Sequence, residues 1–129
     1  MGLQDAITRV LVAAIDPAIS QVEQERVMRK PPENLSAREA WQRALWHWAK
    51  RDFPGTRDAL ERTVRLDSRF APAYAVLSWA RISEVARGIG PPWDEAMRLA
   101  EQEARTAVDL DPGSSIAHAI LALVFSYIG

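Results

Sequence analysis

One stretch of the sequence occurs twice, and this repetition limits the possible folds more than any other feature. Residues 64–77 and 108–121 share the pattern Val-x-Leu-Asp, a turn, and then Ala, an aromatic ring, Ala, any residue and Leu, at an offset of 44 residues. One step earlier, residues 40–44 align with residues 74–78 at an offset of 34 residues. A short unit of this kind cannot bury its apolar face alone, so neighbouring units stack. The repetition therefore predicts a stack of similar units.

These units are predicted to be pairs of helices. Apolar residues spaced three and four apart, among them Ile7 and Leu11, predict a helix over residues 5–15. The pattern then leaves open whether Pro17 separates two helices or kinks one that reaches about Lys30. No segment alternates apolar and polar residues between turns, so no strand is predicted. Further helices are expected over about 36–50, 56–66, 72–87 and 93–110, and from about 115 onward.

The first two of these later helices carry recognisable start signals. Ser36 and Glu39 have the spacing of a capping box, in which each side chain accepts a hydrogen bond from the other residue's backbone. A break at residues 31–34 precedes them. Residues 53–55, Phe-Pro-Gly, are predicted to form a turn, after which Thr56 caps the next helix.

The remaining helices are delimited in the same way. Pro72 is expected in the first turn of its helix, where the missing N–H of proline costs no hydrogen bond. Residues 88–92, rich in glycine and proline, are predicted to form a loop. A turn is predicted at residues 111–113, and Ser114 or Ser115 is expected to cap the last helix.

The offset of 34 residues, the helix–turn–helix units and the Leu-Asp-Pro ending resemble the tetratricopeptide repeat. The resemblance implies an all-α fold, a right-handed stack of antiparallel helix pairs. It divides the chain into a helical junction segment at 1–35 and repeats at 36–129, with units of about 36–69 and 70–113 and a partial unit at 114–129. The positions that match the family pattern are Tyr74, Leu77, Ser78, Ala100, Ala104, Ala107 and Pro112, and then His118, Leu121, Ala122 and Phe125.

A second resemblance concerns the longer proteins in which such repeats occur. Residues 3–10, 25–37 and 66–74 are similar to the junction and first repeats of bacterial adenylate/guanylate-cyclase-type signalling proteins and of winged-helix regulators. In those families the catalytic or DNA-binding domain lies upstream of the repeats. The resemblance thus implies a protein-interaction and assembly segment of a signalling protein, and it transfers no catalytic residue to this chain.

Composition excludes several other classes of function. The formal net charge is −1, so no basic field attracts nucleic acid, and no nucleic-acid partner is expected. The chain has no cysteine, which excludes disulfides and thiolate metal sites. No apolar run approaches the roughly 20 residues of a membrane helix, and the start does not resemble a secretory signal. We therefore expect a cytoplasmic protein without a membrane partner.

Residues with catalytic or metal-binding chemistry are few. The two histidines, His47 and His118, are too few for a zinc site without cysteine; we expect His47 on a helix surface and His118 packed in place of the repeat aromatic residue. Asp67 and Asp111 stand at predicted helix ends, where capping of turns explains them. No nucleophile with a paired base is recognisable. We predict that the segment is no enzyme and has no cofactor or metal.

Tryptophan is the unusual residue, with five in the chain. In the repeat family the first helix of each unit lines a concave groove, and that mapping gives an apolar, aromatic surface here. It argues against capture of a C-terminal carboxylate, which uses Lys and Asn at such positions, and favours an amphipathic helix laid into the groove. The candidate groove consists of Arg38, Trp41, Leu45, Trp48, Trp79, Ile82, Leu123 and Tyr127.

Several alternatives remain for that groove. The chain's own N-terminal helices could fill it, a foreign protein or peptide could bind it, or a small molecule could be sensed there. The strongly apolar end of the sequence suggests a segment cut from a longer protein. Leu121, Val124, Phe125 and Ile128 are predicted to lack a partner helix and to drive homodimerisation. Self-association within a transcriptional regulator is therefore a competing function.

Overall fold

The protein was examined as a computed structural model, which describes residues 21–128. This part of the chain contains six α-helices and no strand, as the sequence predicted. The predicted helix over 5–15 and the role of Pro17 lie outside the described residues. The helices are α1 (Gln21–Arg29), α2 (Ala37–Ala49), α3 (Phe53–Leu66), α4 (Ala71–Ala86), α5 (Trp93–Leu110) and α6 (Ser115–Ile128), with a 3₁₀ turn at Pro32–Asn34 between α1 and α2.

The capping box at the start of α2 is confirmed. The Ser36 hydroxyl accepts a hydrogen bond from the backbone N–H of Glu39 at 3.2 Å, and the Glu39 carboxylate accepts one from the N–H of Ser36 at 3.1 Å. The same carboxylate accepts a hydrogen bond from Lys30 at 2.8 Å, and this contact is the main reason that the pKa of Glu39 lies below its ordinary value. The cap therefore also ties the end of α1 to α2.

The predicted start of α3 is wrong by three residues. Residues 53–55 form the first turn of α3 rather than a separate turn, and Asp52 is the N-cap, accepting a hydrogen bond from the N–H of Gly55 at 3.0 Å. Thr56 caps nothing: it is fully buried and its hydroxyl donates to the carbonyl of Asp52 at 2.7 Å. Proline is tolerated in the first helical turn because its N–H is not needed there.

Two helix ends use the same backbone motif with different residues. After α2, the N–H of Asp52 bonds to the carbonyl of His47 at 3.0 Å, and Arg51 adopts a positive φ of 58°. After α4, the N–H of Ile89 bonds to the carbonyl of Glu84 at 2.9 Å, and Gly88 has a φ of 75°. Glycine adopts this left-handed conformation without strain, whereas Arg51 does so at a cost.

The repeated phrase of the sequence is also repeated in hydrogen bonds. The Tyr74 hydroxyl donates to the carbonyl of Ser68 at 3.0 Å, and Nε2 of His118 lies 2.8 Å from the carbonyl of Pro112, in each case across six residues. His118 is exposed instead of packed in the core. Ser114 caps α6, since its hydroxyl accepts a hydrogen bond from the N–H of Ala117 at 3.1 Å. The two phrases thus build the same kind of connection before α4 and before α6.

Small residues allow the helices of the core to approach closely. The hydroxyl of Ser78, on α4, donates to the backbone carbonyl of Ala100, on α5, at 2.7 Å, a contact that only closely spaced helix backbones permit. One continuous core runs from α2 to α6, and a smaller cluster of Val27, Leu35 and Ala40 holds α1. The small side chains buried between helices are Ala44, Ala73, Ser78, Ala80, Ala100, Ala104, Ala107 and Ala117.

Candidate interaction surfaces

The structure distributes the eight candidate groove residues between core and surface. Arg38 and Tyr127 are exposed, and Trp41 is half-buried, with its ring 5.4 Å from that of Phe70. The other five side chains are buried and belong to the hydrophobic core or lie beside it. These five are Leu45, Trp48, Trp79, Ile82 and Leu123.

Direct contact between α2 and α4 accounts for much of this burial. The rings of Trp48 and Trp79 lie 6.2 Å apart, and the edge of Trp48 meets Phe53 at 5.4 Å. These rings therefore hold α2, α3 and α4 together and leave little aromatic surface open to a partner in this conformation. Trp79 Nε1 is buried without a hydrogen-bond partner among the described residues, an arrangement that costs about 1–3 kcal/mol.

The largest exposed apolar side chains of the last two helices lie on and beside α6. Phe125 is 42% exposed and Ile128 is 50% exposed. Val124 was expected to share this exposure, but it is fully buried, because it points into the core toward the preceding helices. Leu121 is partly buried against that core, so the apolar end of α6 is divided between a core side and an open side.

The open side of α6 corresponds to a side of α4 that is covered. At the offset of 44 residues, Ala122 takes the place of Ser78, and Phe125 takes the place of Arg81. Ser78 is 0% exposed because α5 packs against it, whereas Ala122 is exposed. We call the residues on this open side of α6 the α6 face; they are His118, Ala122, Phe125 and Ile128.

An aromatic pair lies at the end of α6, beside that face. The rings of Trp93, at the start of α5, and Tyr127 meet edge to face with centroids 5.6 Å apart. Both residues are exposed, as is Ile89 in the loop before α5. Sequence reasoning assigned Tyr127 to the concave groove, and it did not foresee the contribution of Trp93. The exposed aromatic position of Trp93 directly after two prolines was the signal available for it.

A network of charged side chains joins α3, α4 and α5. Arg81 donates two hydrogen bonds to Glu103, at 2.7 and 2.9 Å, and one to Glu61 at 3.4 Å. Burial raises the pKa of Glu103 to about 7, although Arg81 acts in the opposite direction. Burial also raises the pKa of Glu84, whose carboxylate lies 3.2 Å from Nε of Arg57. Every ion pair of this network links helices of the core, so the network positions helices.

A cleft of about 540 Å³ lies between the 3₁₀ turn, α2 and α3. Its charged lining mixes both signs, with Arg62 and Arg65 beside Asp58 and Glu61, so it has no strong preference for an anion or a cation. Arg43 at its wall is already bound, since it donates to the carbonyl of Met28 at 2.9 Å.

No concentration of catalytic or metal-binding groups appears in the part of the chain that the structure describes. Nδ1 of His47 lies 3.0 Å from the Asp52 carboxylate, which is itself the cap of α3. Within residues 21–128 no three His, Asp or Glu side chains gather as ligands for a metal ion, and no helix is long and apolar enough to cross a membrane. The site that remains is a surface for contact.

Comparison with known proteins gives no further assignment, because no family model, no curated protein and no solved structure matches this chain.

Proposed function

We propose that this chain is a tetratricopeptide-type repeat segment that acts without catalysis as a protein-interaction and assembly module. The sequence pattern supports this proposal through its offsets of 34 and 44 residues. The turns that precede α4 and α6 support it through their matching hydrogen bonds, made by Tyr74 and His118. Contact between successive helices, sealed by small residues such as Ser78 and Ala100, is the packing that a stacked array requires.

The observation that carries the proposal is the exposed α6 face. Phe125 and Ile128 are large apolar side chains with about half their area open, beside the small exposed Ala122. Exposed apolar surface of this kind marks a contact site for another macromolecule. A groove with a small residue at its centre and large ones at its rim accepts an amphipathic helix.

A selection for helical peptides tests this function. A displayed library of amphipathic peptides of about 20 residues, the length of a common recognition helix, is selected on the protein. The clones are then measured on Ala122→Glu, which places a charge at the centre of the face, and on Ala49→Glu, which places the same charge on an exposed site of α2. We expect binding to be lost only in Ala122→Glu. Clones that bind both variants equally would show that the α6 face is not the interaction surface.

Self-association is the second candidate, and one observation favours it. The segment that forms α6 contains no Asp, Glu, Lys or Arg, so two copies of the face do not repel each other. Sedimentation equilibrium of the protein and of Phe125→Ser separates the two functions. A dimer that dissociates in Phe125→Ser supports self-association, and a monomer at all concentrations supports a foreign partner.

The parent protein is proposed from sequence resemblance. The similarity of residues 3–10, 25–37 and 66–74 to bacterial cyclase-type signalling proteins supports a role as their assembly arm. A nucleotidyl cyclase assay on a longer chain that carries this segment, with ATP, GTP and a divalent metal, tests this role. Product whose rate changes when the segment is deleted supports a cyclase arm, and the absence of product favours a transcriptional regulator or a scaffold.

A further inference from the structure

The joint between α4 and α5 shows what covers such a helix face in this protein. The covering helix, α5, presents a row of alanines that are almost completely buried, Ala100, Ala104 and Ala107. Because these side chains are small, the carbonyl of Ala100 reaches the hydroxyl of Ser78 at 2.7 Å. A larger residue in this row would push the two helices apart.

A charged contact runs beside that alanine row. Glu103 of α5 directly precedes Ala104 and forms two hydrogen bonds with Arg81 of α4. Arg81 also reaches Glu61 of α3, so three helices meet at one guanidinium. The pattern that covers α4 is therefore Ala-x-x-Glu-Ala-x-x-Ala, read from Ala100 to Ala107.

The next joint has the same geometry with the signs of charge exchanged. At the offset of 44 residues, Arg105 replaces Glu61 and Phe125 replaces Arg81. The guanidinium of Arg105 lies 5.1 Å from the centroid of the Phe125 ring, so this pair also touches across neighbouring helices. Arg105 is bound to Glu101 at 3.0 Å and remains about half exposed. The open joint therefore offers a cation and an aromatic ring beside the small residue Ala122.

Resting on the proposed function, we infer that the α6 face binds an amphipathic helix of a partner protein with small residues at i, i+4 and i+7 and an acidic residue at i+3. The small row lies on Ala122 as Ala100 lies on Ser78. The acidic side chain is placed next to Arg105, where Coulomb attraction favours a carboxylate. A second copy of α6 does not meet this description, since its segment has no acidic residue and carries Phe125 and Ile128 on the same face.

A synthetic peptide provides the probe. The peptide spans residues 92–112, with blocked ends and a fluorescent label, and carries the required pattern because it is the sequence of α5. Binding to the whole protein is followed by fluorescence anisotropy. We expect binding that weakens about tenfold or more when Ala104 of the peptide is replaced by Leu, and that weakens and loses its salt dependence when Glu103 of the peptide is replaced by Gln.

Variants of the protein locate the binding. Ala122→Glu is expected to abolish binding, and Ala49→Glu, an exposed site on α2, is expected to leave it unchanged. A peptide that displaced the protein's own α5 from α4 would bind Ala122→Glu normally, and that result overturns the inference. The same holds for a peptide that does not bind at all.

A third peptide separates this inference from the function on which it rests. In it, the four alanines of the row, at 96, 100, 104 and 107, are replaced by leucine. If only this leucine peptide binds, and Ala122→Glu abolishes its binding, the α6 face is an interaction surface but the small-residue occupant is wrong. If neither peptide binds, both the inference and the proposed helix-binding function fail.

Discussion

Glu103 is expected to make the protein more stable at mildly acidic pH than at mildly alkaline pH. Its carboxyl group is buried between α4 and α5, and burial raises its pKa from an ordinary value of 4.5 to about 7. The charged groups that face it are Arg81 on α4 and Glu61 on α3. The perturbation is the replacement Glu103→Gln, which keeps an oxygen acceptor for Arg81 and removes the titrating proton.

The sign of the effect follows from the direction of the pKa shift. Because the folded protein holds the proton more tightly than the unfolded chain, Glu103 contributes most to stability below about pH 4.5, and this contribution is lost as the pH rises through about 7. For a pKa of about 7 in the folded state, the loss between about pH 5 and about pH 8 amounts to about 2.5 kcal/mol in the free energy of unfolding.

Urea unfolding followed by tryptophan fluorescence measures this loss. The free energy of unfolding is determined across this pH range for the protein and for Glu103→Gln, and the difference between the two curves is taken. His47 and His118 are present in both proteins, so their titration cancels. Glu101→Gln, on the same helix but at an exposed ion pair with Arg105, is the matched control and is expected to change little.

One result would refute this reasoning. If the difference between the two curves stays constant or grows in favour of the protein with Glu103 as the pH rises, the carboxyl group is already ionised. The two hydrogen bonds from Arg81, at 2.7 and 2.9 Å, would then outweigh the cost of burial.

Three further predictions concern helix ends. Ser36→Ala is expected to lower the free energy of unfolding by about 1 kcal/mol, measured in urea, because the capping box loses its hydroxyl acceptor. Arg51→Gly is expected to raise the melting temperature and Gly88→Ala to lower it, each by about 1 kcal/mol in stability, since both positions have positive φ; shifts in the same direction would contradict the strain argument. Asp52→Ala is expected to cost about 1 kcal/mol in urea unfolding, and Asp58→Ala, an exposed neighbour, less than about 0.5 kcal/mol; equal costs would show that Asp52 does not cap α3.

Helix ends could be predicted where the signal was local. The helix expected at 93–110 is α5, Trp93–Leu110, and the capping box of Ser36 and Glu39 forms as the sequence indicated. The start of α3 could not be predicted in this way, because Phe-Pro-Gly suits a turn as well as a first helical turn. Contact of Phe53 with Trp48 and the cap by Asp52 select the helix.

The candidate site was only partly predictable. The apolar character of the last helix pointed to Phe125 and Ile128, and both are exposed. Val124 could not be separated from them by sequence, since which side of a uniformly apolar helix faces the core depends on the neighbouring helices. The same limit applies to Trp48 and Trp79, which fit a binding groove by position but are buried against each other.

The sequence by itself determined the all-helical class, most helix bounds and the repetition of 44 residues, because capping, helical periodicity and turn chemistry act between residues close in the chain. Only the tertiary structure decided which faces are covered. Ser78 and Ala122 occupy equivalent places in the two phrases, yet α5 covers the first and leaves the second exposed. Burial depends on which helix comes to lie against a face, and that is a property of the packed molecule.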